Sequence, residues 1–302
     1  MMKSWKSAVD KTGNFARRMA ALLRKSQAAL AARRHLVKTV ISLRVPSLPV
    51  SGRTAVVIAP HPDDETFGAG GMIALKRHLM ARVDVIFLTS GEAAHNGCCE
   101  IAPEEVARVR RDEAVNAAER LGLDAANLHW LGLNDGAIPS SGDAGFRDAV
   151  AGLNRLLLQL MPEEIFCPHP FDPWPDHCSA GELAQAAYDR YVPRCDIIFY
   201  LVWPWYSIPV AMLQRLDWST AWRLDISSVL RKKQQAIESY LSNTVPYCGH
   251  PYCGRLPKGF IGSFSWPNEL FFSERVVRAV RPITTVHERP SVFHSPVAAG
   301  EE

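Results

Sequence analysis

The sequence predicts an α/β fold: one Rossmann-like domain with a mainly parallel sheet and helices on both faces. Three observations carry that expectation. Short β-branched runs such as TAVVIA and DIIFYL recur along the chain. Longer segments with helical spacing stand between them. The strand-like runs are apolar almost throughout, as strands covered on both faces must be. The 302 residues are 47% hydrophobic and 22% charged, enough apolar material for one large soluble domain.

The elements follow in order. Residues 54–59 form a first strand, and Gly68 to Met80 a helix. VDVIFLTS (83–90) is a second strand. The segment 103–122 is a long helix, with Val106, Val109, Ala114, Ala117, Ala118 and Leu121 inward and Gly122 as its stop. NLHWLGL (127–133) is a third strand, and Phe146 to Leu160 a helix. EIFCPHP (164–170) is a fourth strand ending in a proline-rich loop, and 178–191 a helix. DIIFYL (196–201) is a fifth strand, followed by a helix over 229–241. In such sheets ligands bind beyond the carboxyl ends of the strands.

The domain is expected over 53–285, after a basic amphipathic extension and linker (1–52) and before a tail (286–302). The net charge of +3 is unevenly spread: residues 1–50 hold eleven Lys/Arg against the single acid Asp10, so the rest of the chain stands at −7. Apolar positions such as Phe15, Met19, Leu22, Leu30, Val37 and Ile41 alternate with cations at helical spacing. That pattern suits peripheral contact with an anionic membrane through residues 1–45, at about 1 kcal/mol per basic residue near the surface. The alternatives are a helix packed on the domain or an Arg-rich transit peptide. Charges interrupt every apolar stretch of the prefix, arguing against a signal peptide, and no apolar run is long enough to span a bilayer. Pro46, Ser47, Pro49, Ser51 and Gly52 read as a linker. Seven scattered cysteines do not form a secreted disulfide framework, so the expected setting is the cytoplasm, with the inner membrane face as the peripheral variant.

The chemistry concentrates in VVIAPHPDDETFGAGG, residues 56–71. One helix-capping carboxylate after a strand is ordinary. His61, Asp63, Asp64 and Glu65 together are not, because adjacent carboxylates at a buried strand end repel unless a cation lies between them. Dinucleotide binding is disfavoured: Ile73 occupies the last glycine position of a GxGxxG, and an acidic turn repels a pyrophosphate. A catalytic zinc site takes three histidine or carboxylate ligands and one open position. PHPFDPWPDHCSAGELA (168–184) offers His177 beside Asp176 after another strand; lone histidines such as His35, His78, His129 and His287 read as surface or packing residues.

APHPDDE, RRDEAVNAAERLG and a Trp- and Pro-flanked DH resemble the PIG-L/LmbE-like family of zinc-dependent N-acetyl-sugar deacetylases, with LGLNDG (131–136) and KQQAIESYLSN (233–243) as further echoes. The likeness runs over about residues 54–275. It implies a metal, Zn2+ or another divalent ion, on His61, Asp64 and His177, and Asp63 as general base. Asp135 and Arg110 match positions near the sugar. Asp176 joins the catalytic candidates. The implied reaction is amide hydrolysis, with zinc lowering the pKa of its water to about 7 and Asp63 contributing roughly 10²- to 10⁴-fold as base. The family commonly has a histidine three positions before the ligand, where this chain has Trp174; His169 or Asp63 itself is then the expected proton donor.

The implied substrate is a small N-acetylaminosugar compound or a glycolipid, with no nucleic acid and with homo-oligomerisation open. A zinc amidase for another N-acyl substrate is one alternative. A binding protein for membrane or nucleic acid with a vestigial metal site is the other. Cys248 and Cys253 stand as C-x₄-C without a second pair, so a zinc finger is not expected, and Cys98, Cys99 and Cys178 read as plain thiols. Trp203, Trp205, Tyr206, Tyr247 and Tyr252 suit either core packing or stacking on a sugar or lipid.

Overall fold

The apolar runs become five parallel strands: β1 (Ala55–Ala59), β2 (Val83–Phe87), β3 (Leu128–Trp130), β4 (Glu164–Pro168) and β5 (Asp196–Tyr200). Two further strands extend the sheet, β7 (Asn268–Phe272) antiparallel to β5 and β6 (Ala221–Asp225) antiparallel to β7, giving the order β3-β2-β1-β4-β5-β7-β6. The computed structural model describes residues 27–95, 100–191, 195–241 and 256–273. Cys98, Cys99, Cys248, Cys253, Tyr247, Tyr252 and the 286–302 tail lie outside them.

The helices are α1 (residues 27–44), α2 (Asp64–His78), α3 (Pro103–Leu121), α4 (Phe146–Leu160), α5 (Pro175–Arg190), α6 (Pro204–Ser207), α7 (Val210–Leu213), α8 (Leu230–Ser239) and α9 (Lys258–Gly262). Alternate residues of the central strands feed two cores. Val57, Ala59, Val85 and Phe87 pack under α2, α3 and α8, while Val56, Ile58, Ile86 and Ile165 pack under α4 and α5. Helices therefore cover both faces, which is why β1, β2 and β4 are buried at every position.

The strand order places β1 centrally, with β2 on one side and β4 on the other. Chain direction across the sheet reverses between β1 and β4, which opens a crevice beyond their carboxyl ends. His61 lies in the turn leaving β1, and His177 in the first turn of α5, which follows the loop leaving β4. Helix α2 begins at Asp64, four residues before the expected start, so the acidic motif itself forms its first turn.

Gly68 lets α2 lie against β5. A Cβ there would stand 2.2 Å from Cδ2 of Tyr200, a fully buried ring whose hydroxyl donates to the Ile58 carbonyl at 2.7 Å. Gly68→Ala should overpack this contact and destabilise the protein by about 1–3 kcal/mol. Urea denaturation would read this as a lower midpoint at unchanged m; an unchanged midpoint would mean the ring has room to move.

The prefix helix is docked. Within α1, Arg33 donates to the Ile208 carbonyl, Arg34 to those of Tyr206 and Gly259 at 3.0 Å each, and Lys38 to that of Ser263. The Lys38 ammonium also lies over the rings of Trp205 (5.7 Å) and Trp266 (5.6 Å). These cations face the domain, while Leu36, Val40 and Leu43 are 63%, 48% and 77% exposed. Most of the prefix cations expected to meet a membrane, Arg17, Arg18, Arg24 and Lys25 among them, lie outside the described residues. The expected linker also packs: along β6 the Leu48 amide donates to the Arg223 carbonyl and the Arg223 amide to that of Pro46, at 2.9 Å each, and Val45 and Leu48 are buried. Among the described residues, no helix is long and apolar enough to cross a membrane.

Candidate active site

The turn after β1 is bent by Pro60 and Pro62 and continues into Asp63 at φ 118°, a left-handed backbone that a non-glycine residue adopts at about 1–3 kcal/mol. Several contacts hold it there. The Asp63 carbonyl accepts from the amides of Thr66 (3.0 Å) and Phe67 (2.9 Å), and its own amide donates to Glu65 Oε2 at 3.0 Å. Arg110, from α3, donates to the Pro62 carbonyl and to Asp63 Oδ2 at 2.8 Å, and pairs with Glu113 at 3.3 Å. Its ring neighbour Tyr240 donates to Glu65 Oε1 at 2.7 Å. The strained turn is thus clamped from α3 and the end of α8.

Asp64 Oδ2 lies between two imidazoles, 3.0 Å from His61 Nδ1 and 3.2 Å from His177 Nε2. The far nitrogen of His61, Nε2, meets Asp176 Oδ2 at 2.9 Å and Asp135 Oδ1 at 3.1 Å. Across the site, His177 Nδ1 faces Asp172 Oδ2 at 3.5 Å. Two groups, His61–Asp64–His177 and His61–Asp135–Asp176, each bring their ligand atoms within 4.8 Å of one another. His177 is wholly buried, and neither of its ring nitrogens has an aligned hydrogen-bond partner, although carboxylate oxygens stand close by. A cation between His61 Nδ1, Asp64 and His177 Nε2 would give the inward nitrogen its partner. Two nitrogens and one carboxylate oxygen are the donors of a three-ligand catalytic zinc site. The outward His61 Nε2 would then rest on Asp176, the carboxylate–histidine arrangement that fixes a ligand's tautomer.

The electrostatics point the same way. For His61, burial disfavours the charged ring, but Asp135, Asp176 and Asp64 raise its pKa well above the usual imidazole range. For His177 burial again opposes, and Asp64 and Asp172 push it up to about 10. Burial would raise Asp64, yet His177 and His61 hold it below the usual carboxylate range. The four aspartates thus demand positive charge at this spot. Asp63 behaves differently: burial, reinforced by Asp64 and Glu65, outweighs Arg110 and lifts its carboxyl to about 7.

Of the sequence-predicted residues, His61, Asp63, Asp64, Asp135, Asp176, His177 and Arg110 come together. Two of them, expected near the sugar, also engage neighbouring groups of the site. Arg110 is engaged by Asp63 and the Pro62 carbonyl, and Asp135 joins His61 to the 3₁₀ turn at Glu92–His95, accepting from the Ala93 amide at 2.8 Å. Both hold the site in shape. Asp176 likewise accepts from the Gly136 amide at 2.8 Å while it meets His61. His169 is not brought to the cluster. Its ring packs against Phe171, Phe199 and Phe272, its Nδ1 accepts from the Phe171 amide at 3.1 Å, and burial lowers it to about 4, so it is neutral at pH 7.

Sequence reasoning missed Asp172 and Glu92. Asp172 is fully buried, accepts from the amides of Val202 (2.9 Å) and Trp203 (3.2 Å), and faces His177. Its signal was present as an acid between prolines five residues before His177. Glu92 accepts from the amides of Ser90 (3.1 Å) and Asp135 (2.9 Å), and nothing in its local sequence announces that. Trp174 stands exposed at the N-cap of α5 and stacks on Trp203, with centroids 4.7 Å apart.

Residues 56–188 match the model of the PIG-L family, described as GlcNAc-PI de-N-acetylase. Among curated relatives, a probable N-acetyl-alpha-D-glucosaminyl L-malate deacetylase 2 from Bacillus subtilis is 32% identical over 138 residues, covering 45% of this chain and 60% of that protein. A 4-oxalmesaconate hydratase from Pseudomonas putida is 29% identical over 196 residues, covering 62% and 72% respectively. The chain spans between about half and two thirds of the length of the curated deacetylases it matches. In fold it is similar to the crystal structure of the 4-carboxy-2-hydroxymuconate hydratase from Pseudomonas putida, with a TM-score of 0.55 at 23% identity over 82% of this chain and all of the other.

Proposed function

Because the chain carries a PIG-L family domain over residues 56–188, we propose that it is a metal-dependent deacetylase acting on an N-acetylglucosaminyl-type sugar, borne on a small glycoconjugate or a glycolipid. One observation carries the reading. Asp63, a buried carboxyl lifted to about 7 and pinned by Arg110, adjoins a two-histidine, one-carboxylate donor set at the mouth of the sheet.

His61, Asp64 and His177 would hold the ion, for which zinc suits the donors best. When bound, zinc supplies Lewis acidity, polarising the amide carbonyl and acidifying water. Arg110 fixes Asp63 through Oδ2 and leaves Oδ1 to take the proton of the attacking water. Trp174 has no proton to give, and His169 is packed elsewhere and neutral. Asp63 therefore also returns its proton to the departing nitrogen as the C–N bond breaks, giving the free amine and acetate. Asp176 and Asp135 keep His61 in one orientation throughout.

Asp63 must be ionised to act as base, and its raised pKa means that acidification through about 7 protonates it. The kcat/KM profile should fall on the acid side with a one-proton slope. Bound metal, a nearby positive charge, moves the midpoint below 7. A profile flat down to pH 5 would remove Asp63 from the base role.

The direct test is acetate release by the zinc-loaded protein from soluble and lipid-linked N-acetylglucosaminyl compounds, with Asp63→Asn as control. Release by the wild type and not by the variant supports the reading, and silence from both ends it.

A second reading has its own support. The match to the hydratase is longer than that to the deacetylase, and addition of water to a carbon–carbon double bond needs the same base but no protonated amine. Trp174 in place of an acid would matter less to that reaction. Loss of a conjugated substrate's ultraviolet absorbance, without acetate release, would favour it.

A further inference from the structure

The polar cluster does not use the tryptophan pair beside it. Trp174 and Trp203 stack almost parallel, 14° between planes and 4.7 Å between centroids. Behind Trp203 the rings continue inward, to Phe260 at 4.8 Å and from there to Phe67 at 4.9 Å. The pair is therefore buttressed by the core on one side. On the other side Trp174 is 46% exposed, while Trp203 covers one of its two indole faces.

Its backbone is as firmly set as its ring. Pro173 and Pro175 flank it, and residues preceding proline are confined to extended conformations, as here at φ −82° and ψ 131°. The Trp174 carbonyl accepts from the amides of His177 and Cys178 at 3.0 Å each. Trp203 is tied to the same histidine from the other direction: its amide donates to Asp172 Oδ2 at 3.2 Å, and that oxygen faces His177 Nδ1. Both tryptophans thus spring from the two segments that position His177. A rigid, open aromatic face attached to a reaction centre loses little entropy when a ligand covers it.

The geometry points to a binding subsite: Trp174, backed by Trp203, is a stacking platform for the apolar C–H face of a second pyranose ring, joined to the acetamido sugar held at the cluster. This rests on the deacetylase reading for its reacting sugar, and it makes Trp174 a specificity-determining residue for the neighbouring ring. A pyranose presents axial hydrogens on one face and suits an indole plane as an aliphatic side chain does, while its hydroxyl edges stay in water.

The probes are N-acetylglucosamine and N,N′-diacetylchitobiose, which differ by that second ring. An aromatic contact of this kind corresponds to about tenfold in affinity. Trp174→Ala should raise KM for the disaccharide about tenfold more than KM for the monosaccharide, and Trp174→Phe should restore most of the difference. Equal changes for both sugars, or none, overturn the platform. Binding is read separately by fluorine NMR of zinc-loaded Asp63→Asn protein labelled with 5-fluorotryptophan, with the Trp174 signal assigned by its loss in Trp174→Phe. The disaccharide should perturb that signal where an equal concentration of monosaccharide does not, and an unmoved signal overturns the proposal. A perturbed signal in a protein whose wild type releases no acetate keeps the subsite and removes the deacetylase reading. Acetate release with an indifferent Trp174 does the opposite.

Discussion

Asp63→Asn is expected to lower kcat about 10²- to 10⁴-fold while zinc still binds stoichiometrically. Asparagine keeps the shape, can accept the Arg110 hydrogen bond through its amide oxygen, and is among the residues that best tolerate positive φ. What it loses is the ability to take a proton. Arg110 retains Glu113 and the Pro62 carbonyl, so the clamp on the turn survives. Initial rates, zinc content and a melting curve on one preparation separate chemistry from folding. A kcat within about threefold of wild type, with unchanged melting, would show that proton transfer runs through another group.

His177→Ala should weaken zinc binding by more than about 100-fold, since even second-shell changes at metal sites cost 10- to 100-fold. His177 is wholly buried between Asp64 and Asp172, so its loss also leaves two carboxylates facing each other without a cation. Asp172→Asn keeps the ring and removes only its support, and belongs in the 10- to 100-fold range. Competition with a chromogenic chelator gives both affinities. Equal zinc affinity in wild type and His177→Ala would move the metal to the His61–Asp135–Asp176 group instead.

Much of this was legible in the sequence. The five parallel strands announced themselves as β-branched runs because both faces are covered. The two histidines stood out because each adjoins an aspartate at a strand-to-helix junction. Strands β6 and β7 were hidden for the converse reason. AWRLD and NELFF carry charges, and only tertiary contacts make NELFF a buried strand: Glu269 is neutralised by Lys233 at 2.6 Å and accepts from the amides of Gly71 and Met72. Asp172 escaped notice because its partners, the Val202 and Trp203 amides, lie 30 and 31 residues away. Arg110 and Asp135 were placed near the right chemistry, but their contacts to Asp63 and His61 were not legible, since pattern gives proximity but not which hydrogen bond is already taken.

Part of the prefix packs on the domain, one of the arrangements expected of it, for a physical reason. Helical periodicity assumes that cations seek water, yet Arg33, Arg34 and Lys38 found backbone carbonyls at the ends of α6 and α9. The practical consequence concerns where the chain can be shortened. A truncation at residue 53, the boundary that composition suggests, would uncover four carbonyl oxygens and the Trp205–Trp266 surface together. The trimmed protein would be stickier and less soluble than the whole, and its behaviour toward lipids would report the wound rather than the missing charge.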